Sequence, residues 1–230
     1  MPTIPVHADA SAIRANAVQM GDLARQAIVD SVKSLNDRDT DLARKVLEGD
    51  VEIDRFESAI DRMCLDVMAE NLHGKQLRTV AATYRFIVDL ERIGDYSVSI
   101  ANVTLAVANK PITGLELHIA RMADIATRML RRSMEAYATE SGAGLEGVFS
   151  DDLEIDRLYG KVFYDGLGEI VHEPETATNV IYIIVASRAL ERIGDHITDI
   201  AERVEYIETG RLVARSVPMH VPPGMGDASW

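Results

Sequence analysis

Only one cysteine, Cys64, occurs in the 230 residues, so no disulfide can form within the chain and a disulfide-stapled scaffold is excluded. Cys64 sits in a helical pattern among Met63, Val67 and Met68 and reads as a buried structural thiol. Aromatic residues are scarce, at 5%, while Ala, Leu, Ile and Val abound; that balance suits helices rather than sheets. Bases are outnumbered, with 24 Lys and Arg against 37 Asp and Glu, for a net charge of −13. Such a chain repels a phosphate backbone, which excludes nucleic acid as the natural partner and favours cations or basic protein surfaces. The most apolar run, Val180–Ala186, is far too short to span a membrane. Met1–Ala10 is polar and holds Pro2 and Pro5, so it does not read as a signal peptide, and a cytoplasmic protein is expected. No Ser/His/Asp or Cys/His arrangement, phosphate-binding glycine loop or zinc-type Cys/His spacing occurs, so no enzymatic nucleophile can be named.

What is present is a duplication. Leu90-Glu91-Arg92-Ile93-Gly94-Asp95 recurs as Leu190-Glu191-Arg192-Ile193-Gly194-Asp195, 100 positions later, and Ile100-Ala101 recurs in register as Ile200-Ala201. Upstream, Glu52-Ile53-Asp54-Arg55 recurs as Glu154-Ile155-Asp156-Arg157 at a spacing of 102. Two matches at nearly one spacing indicate a repeated unit of about 100 residues. Residues 1–112 hold 17 acids and 13 bases, and residues 113–230 hold 20 and 11, so the second unit is the more acidic.

Helical periodicity predicts six helices. The first three run from about Asp9 to Leu35, from Asp39 or Thr40 to Leu72, and from Lys75 to Asn109. The turn at 36–39 separates the first two, His73-Gly74 ends the second, and Lys110-Pro111 stops the third. The other three span Leu115–Thr139, Leu145–His172 and a segment from Pro174 to Thr209, capped by Gly210. The expected fold is all-α, two tandem three-helix bundles with antiparallel neighbours: a first repeat over 1–112, a second over 113–212, and a flexible tail over 213–230. Residues 1–8 read as a short flexible lead.

On these helices the acids fall into pairs. Asp50 and Asp54, Glu91 and Asp95, Asp152 and Asp156, and Glu191 and Asp195 each stand at i and i+4, so each pair shares one helix face. The Asp50/Asp54/Glu57/Asp61 stripe flanks the apolar stripe of its helix and so faces a groove between helices. Like charges at this spacing destabilise a helix by a few tenths of a kcal/mol per pair, about 0.2–0.5. Four carboxylates across one groove cost more, and protonation, arginines or a metal must offset them. Carboxylate-only clusters suit hard cations such as magnesium, manganese, calcium or oxidised iron. The alternative is a solvated acidic face in which Arg55, Arg92, Arg157 and Arg192 pair with the acids. Gly94 and Gly194 sit inside predicted helices, where glycine costs about 0.5–1 kcal/mol relative to alanine. Their repetition predicts that another helix or an ion approaches the backbone there.

The histidines add little. A di-iron carboxylate bundle needs Glu-x-x-His on two helices, and only Glu169–His172 has that spacing. His196 follows the second Gly-Asp, but Tyr96 stands at the matching place.

Both Leu-Glu-Arg-Ile-Gly-Asp copies, the Gly49-Asp50-Val51-Glu52-Ile53-Asp54 segment and the Tyr206-Ile207-Glu208-Thr209-Gly210 ending resemble the PhoU family of phosphate-signalling proteins. The likeness covers nearly the whole chain. It implies two tandem three-helix bundles, often dimeric, whose acidic motifs bind multinuclear metal clusters. Carried onto this sequence, the metal ligands are Asp50, Asp54, Glu91 and Asp95, and Asp152, Asp156, Glu191 and Asp195. The metal ions are iron, manganese, magnesium or zinc. The family is not enzymatic. It implies a homodimer, without membrane insertion, that links a phosphate-transport ATPase to a membrane sensor histidine kinase and restrains the phosphate-starvation response. A carboxylate-bridged metalloenzyme of helical-bundle type is the alternative. The repeats depart from each other at Asp89 against Ala189, Ser99 against Asp199, and Asn102 against Glu202, so their sites are expected to differ.

Overall fold

The computed structural model describes residues 9–70, 72–111 and 113–211. The helices are α1 (Ala10–Asp37), α2 (Thr40–Met68), α3 (Gly74–Val107), α4 (Glu116–Thr139), α5 (Glu146–His172) and α6 (Ala177–Thr209), and no strand occurs among the described residues. Residues 1–8 and the tail over 213–230 lie outside them.

Local chemistry sets most boundaries. Asp9 accepts the Ala12 N–H at 2.7 Å and starts α1, and Asp39 accepts from Asp41 and Leu42 at 3.0 and 2.9 Å and starts α2. Arg38 turns the chain between them with φ +55°, its N–H directed at the last carbonyls of α1. Pro174–Thr176 form one 3-10 turn that leads into α6. Gly210, at φ +70°, closes α6 by donating its N–H to Tyr206 O.

α1 runs on to Asp37 rather than ending at Leu35, α3 stops at Val107 rather than Asn109, and the largest differences lie between α2 and α3. α2 stops at Met68 rather than Leu72, because the Glu70 N–H bonds Val67 O, a tightened turn that unwinds the helix. Gly74 begins α3 instead of closing α2: with α2 already ended, the left-handed conformation (φ +58°) is used in the turn into α3.

The layers follow from which helices touch. α1, α3, α4 and α6 form the central bundle; α2 flanks α1 and α3, and α5 flanks α4 and α6. α3 and α6 run antiparallel, since Arg78 near the start of α3 donates to Ile207 O near the end of α6, at 3.4 Å. α1 and α4 do the same. Arg38 at the C-terminus of α1 meets Glu116 at the start of α4, and Arg14 meets Glu140 at the other end. The Arg38–Glu116 pair is 2.7 Å long with side chains only 12% and 7% exposed. Thr113 donates its N–H and hydroxyl to Glu116, and Arg38 also donates to Leu35 O at 2.8 Å, while its Nε is left without a partner.

The main core cluster runs through both repeats, from Ile13 to Ile207, and a small second cluster joins Ala43, Val46 and Ala101. Phe86 and Tyr137 meet edge to face across the repeats with ring centroids 4.8 Å apart, and the Tyr137 hydroxyl lies 2.6 Å from Thr83 Oγ1. Cys64 is fully buried among these groups, and burial pushes its thiol up to about 12, which makes it inert.

Candidate functional site

The two glycines of the repeated hexamer mark where α2 meets α3 and where α5 meets α6. A Cβ on Gly94 would lie 2.7 Å from Asp50 Oδ1 and 3.0 Å from Ile53 Cδ1. On Gly194 it would lie 2.6 Å from Asp152 Oδ1 and 3.3 Å from Ile155 Cδ1. Glycine is there because a neighbouring helix presses an aspartate and an isoleucine onto the backbone, as the repetition predicted. The contact also explains how acids enter a helix–helix groove: each Ile is buried in the core, and the Asp three residues earlier is carried in beside it.

In the first repeat Asp50, Glu91 and Asp95 are partly buried and Asp54 is exposed at the rim. Burial, then the charges of Asp54 and Asp95, push the Asp50 carboxyl up to about 6. Glu91 is raised by burial and by Asp95, against the pull of Arg92, with Asp54 and Glu57 adding to the rise. Asp54 and Asp95 are among the charges that raise both Asp50 and Glu91, so they lie near both. In the second repeat Asp152 is 3% exposed and is pushed up to about 7, first by burial and then by Asp156, Asp195, Glu191 and Asp199. Glu191 is raised by burial and by Asp195, while Arg188 and Arg192 lower it. Asp152 Oδ1 and Glu191 Oε2 are buried oxygens without a hydrogen-bond partner.

Arginines compensate only the outer acids. Arg92 reaches Asp95 at 2.9 Å and Glu91 at 3.5 Å; Arg192 reaches Asp195 at 3.0 Å and Glu191 at 3.7 Å. Arg188 adds a 2.6 Å contact to Glu191, where the first repeat has Val88. Arg55 pairs with Glu52 and Arg157 with Glu154. The solvated-face alternative therefore describes the rim; among the described residues no Lys or Arg pairs with Asp50 or Asp152 at the bottom of each groove. Among the described residues the one group of three or more whose ligand atoms all lie within 4.8 Å of one another is Asp89, His196 and Asp199, not either predicted quartet.

Further charges extend the two grooves. Glu57 is raised by burial, Asp61 and Asp54, which adds it to the first groove; its counterpart in the repeat is Tyr159. The i+3 and i+7 spacing from Asp54 and Asp50 was the readable signal for Glu57. Asp199 extends the second groove toward α3, where Asp89 meets His196 at 3.0 Å. That meeting depends on how α3 and α6 pair, so no single-helix pattern shows it. Glu169–His172 does not enter a groove: His172 is exposed in the last turn of α5.

Comparison with known proteins gives a concordant result. The family model described as the PhoU domain matches residues 17–104 and again residues 119–204. The chain is 32% identical over 197 residues to the phosphate-specific transport system accessory protein PhoU homolog of Rhizobium meliloti, covering 84% of this chain and 82% of that one. It is 26% identical over 206 residues to the phosphate-specific transport system accessory protein PhoU of Escherichia coli, covering 89% and 86%. The crystal structure of PhoU from Pseudomonas aeruginosa superposes with a TM-score of 0.83 at 28% identity, over 86% of this chain and 96% of that chain. That of the phosphate transport system regulatory protein PhoU from Streptococcus pneumoniae superposes with a TM-score of 0.80 at 25% identity, over 87% and 95%. With a family match to each of its two repeats and solved members sharing its fold, the chain belongs to the PhoU family.

Proposed function

We propose that this protein is an accessory regulator of phosphate-specific transport. In this reading it links the phosphate-transport ATPase to a membrane sensor histidine kinase and restrains the phosphate-starvation response while phosphate is sufficient. It acts as a cytoplasmic homodimer and not as an enzyme. The observation that carries the reading is the double family match, which coincides with the two acidic grooves. Relatives that this chain matches over most of their length are named as accessory proteins of that transport system. No helix among the described residues is long and apolar enough to cross a membrane, which fits a protein that meets its membrane partners from one side.

The metal implied by the family fits the chemistry of the grooves. Asp50, Asp54, Glu91 and Asp95, and Asp152, Asp156, Glu191 and Asp195, offer only carboxylate oxygens, the donors that hard cations prefer. The unpartnered Asp152 Oδ1 and Glu191 Oε2 are oxygens that a cation would satisfy. Since no three carboxylates of either quartet are held within 4.8 Å of one another, the quartets suit ions bridged by several carboxylates, or side chains that close on loading. Bound metal would supply positive charge at the helix crossings; the carboxylates would hold it, and Arg92 and Arg192 would balance the rim.

A deletion strain carrying a phosphate-starvation reporter tests the role. In phosphate-replete medium the reporter should be derepressed and then silenced again by the wild-type gene. A reporter that stays silent in the deletion strain refutes the reading. The metalloenzyme alternative lacks a second Glu-x-x-His, and its one candidate, Glu169–His172, ends at an exposed histidine.

A further inference from the structure

The paired carboxylates leave one cluster unexplained, at the seam where α3 of the first repeat meets α6 of the second. We propose that Asp89, His196 and Asp199 form a second kind of cation site, which takes a single borderline divalent ion such as Zn2+ and ties the two repeats together. It differs in chemistry and position from the carboxylate quartets proposed above.

Geometry comes first. One ligand atom from each residue lies within 4.8 Å of the other two. Ligands about 2.0–2.2 Å from one zinc ion are at most about 4.4 Å apart, so a small side-chain rotation completes the set. His196 Nδ1 and Asp89 Oδ1 are already 3.0 Å apart, with side chains 22% and 18% exposed. Asp199 stands at the solvent edge, which leaves a way in for the ion and room for water to fill the remaining positions.

The donor set comes second. Imidazole nitrogen with two carboxylates selects zinc-like ions over the hard cations that all-oxygen groups prefer. A plain hydrogen-bonded clip across the seam would need Asp89 and His196 alone. Asp199 brings a second carboxylate to that pair, so three ligand-bearing side chains rather than two meet at the seam.

The repeat supplies an internal control. By the 100-residue register Asp89, His196 and Asp199 correspond to Ala189, Tyr96 and Ser99, beside hexamers that are identical. The counterpart positions, Ala189 in the second repeat and Tyr96 and Ser99 in the first, carry neither a carboxylate nor an imidazole. The Tyr96 ring lies 5.8 Å from the His196 ring, so the ligand-free counterpart packs against the ligand-bearing one.

The test uses full-length protein stripped with chelator, saturated with diamagnetic Mg2+ to occupy the carboxylate groups, and titrated with Zn2+ by calorimetry and by 15N-histidine NMR. One equivalent of Zn2+ should bind in a step of its own and move the His196 ring nitrogens, assigned from their loss in His196→Gln. His196→Gln and the exposed Asp199→Asn should each weaken that step about ten-fold or more. The double variant Asp152→Asn/Asp156→Asn should leave it in place. Three results overturn the site: unmoved His196 nitrogens, an Asp199→Asn protein that binds Zn2+ as wild type does, or a Zn2+ step that disappears with the carboxylate double variant.

Discussion

The two grooves share a hexamer and differ in depth. Asp50 is partly buried against Gly94, while Asp152 is 3% exposed against Gly194, and their carboxyls are pushed up to about 6 and about 7. The acids beyond the quartets lie in different directions. The first groove continues along α2 through Glu57; the second continues along α6 through Asp199 toward the seam. Duplication has kept the crossing point and let each repeat change what surrounds it. The same four carboxylates thus make two environments, one open to water and one largely closed, and the closed one has the greater need of a counter-charge.

The sharpest way to break that comparison is to fill the crossings. Gly194→Ala should destabilise the metal-free protein by about 1–3 kcal/mol, the usual cost of forcing atoms into a packed contact. Gly94→Ala should cost less, because Asp50 can turn toward solvent. Urea melts of both variants decide it, and a larger loss at Gly94 would reverse the assignment of open and closed grooves.

Removing charge should act in the opposite direction. At pH 8 without metal, Asp152→Asn should stabilise the protein by on the order of 1 kcal/mol, as expected when an uncompensated buried charge is replaced by a neutral group of the same shape. Asp50→Asn should give a smaller gain. Destabilisation by Asp152→Asn in chelator would mean that the carboxylate has a cationic partner in the metal-free protein.

The pH dependence follows with its sign. Both carboxyls titrate above their ordinary value of 3.8, so the folded protein holds these protons more tightly than the unfolded chain. Their penalty is absent at acidic pH and grows as the proton is lost, up to about 6 for Asp50 and about 7 for Asp152. Without metal the melting temperature should therefore fall from about pH 4 to about pH 7, and Asp152→Asn should flatten the upper part of that fall. An unchanged slope in the variant would remove Asp152 as its source. The smallest effect belongs to the rim: Arg92→Gln and Arg192→Gln should each shift stability by less than about 1 kcal/mol, since both arginines are about half exposed.

The features legible in the sequence were local or repeated. Periodicity put the first two helix starts near Asp9 and Asp39, which the structure shows as caps, Gly210 declared the end of α6, and Gly94 with Gly194 declared a close approach because glycine inside a helix needs a reason. The i, i+4 acids could be placed on faces, and the upward shifts of Asp50 and Glu91, each with Asp54 and Asp95 among its causes, agree with that placement. Gly74 misled because a left-handed residue serves the end of one helix as well as the turn into the next. The unequal burial of Asp50 and Asp152 was hidden, since identical spacing says nothing of what the rest of each repeat packs around it. The seam cluster was hidden for another reason: Asp89 and His196 are 107 residues apart and meet only because α3 and α6 run antiparallel.

The central claim is that the two grooves are metal sites of unequal depth. It is tested most directly by titrating Mn2+ into chelator-stripped protein, in wild type and in the double variants Asp50→Asn/Asp54→Asn and Asp152→Asn/Asp156→Asn. The expected result is binding in both grooves, with each double variant abolishing its own groove's share and sparing the other's. The melting temperature should rise with free metal, since an ion at about 100 times its dissociation constant adds about 2.7 kcal/mol. Binding that is absent from the wild type, or that survives both double variants unchanged, would contradict it and leave the carboxylates as an acidic surface between helices.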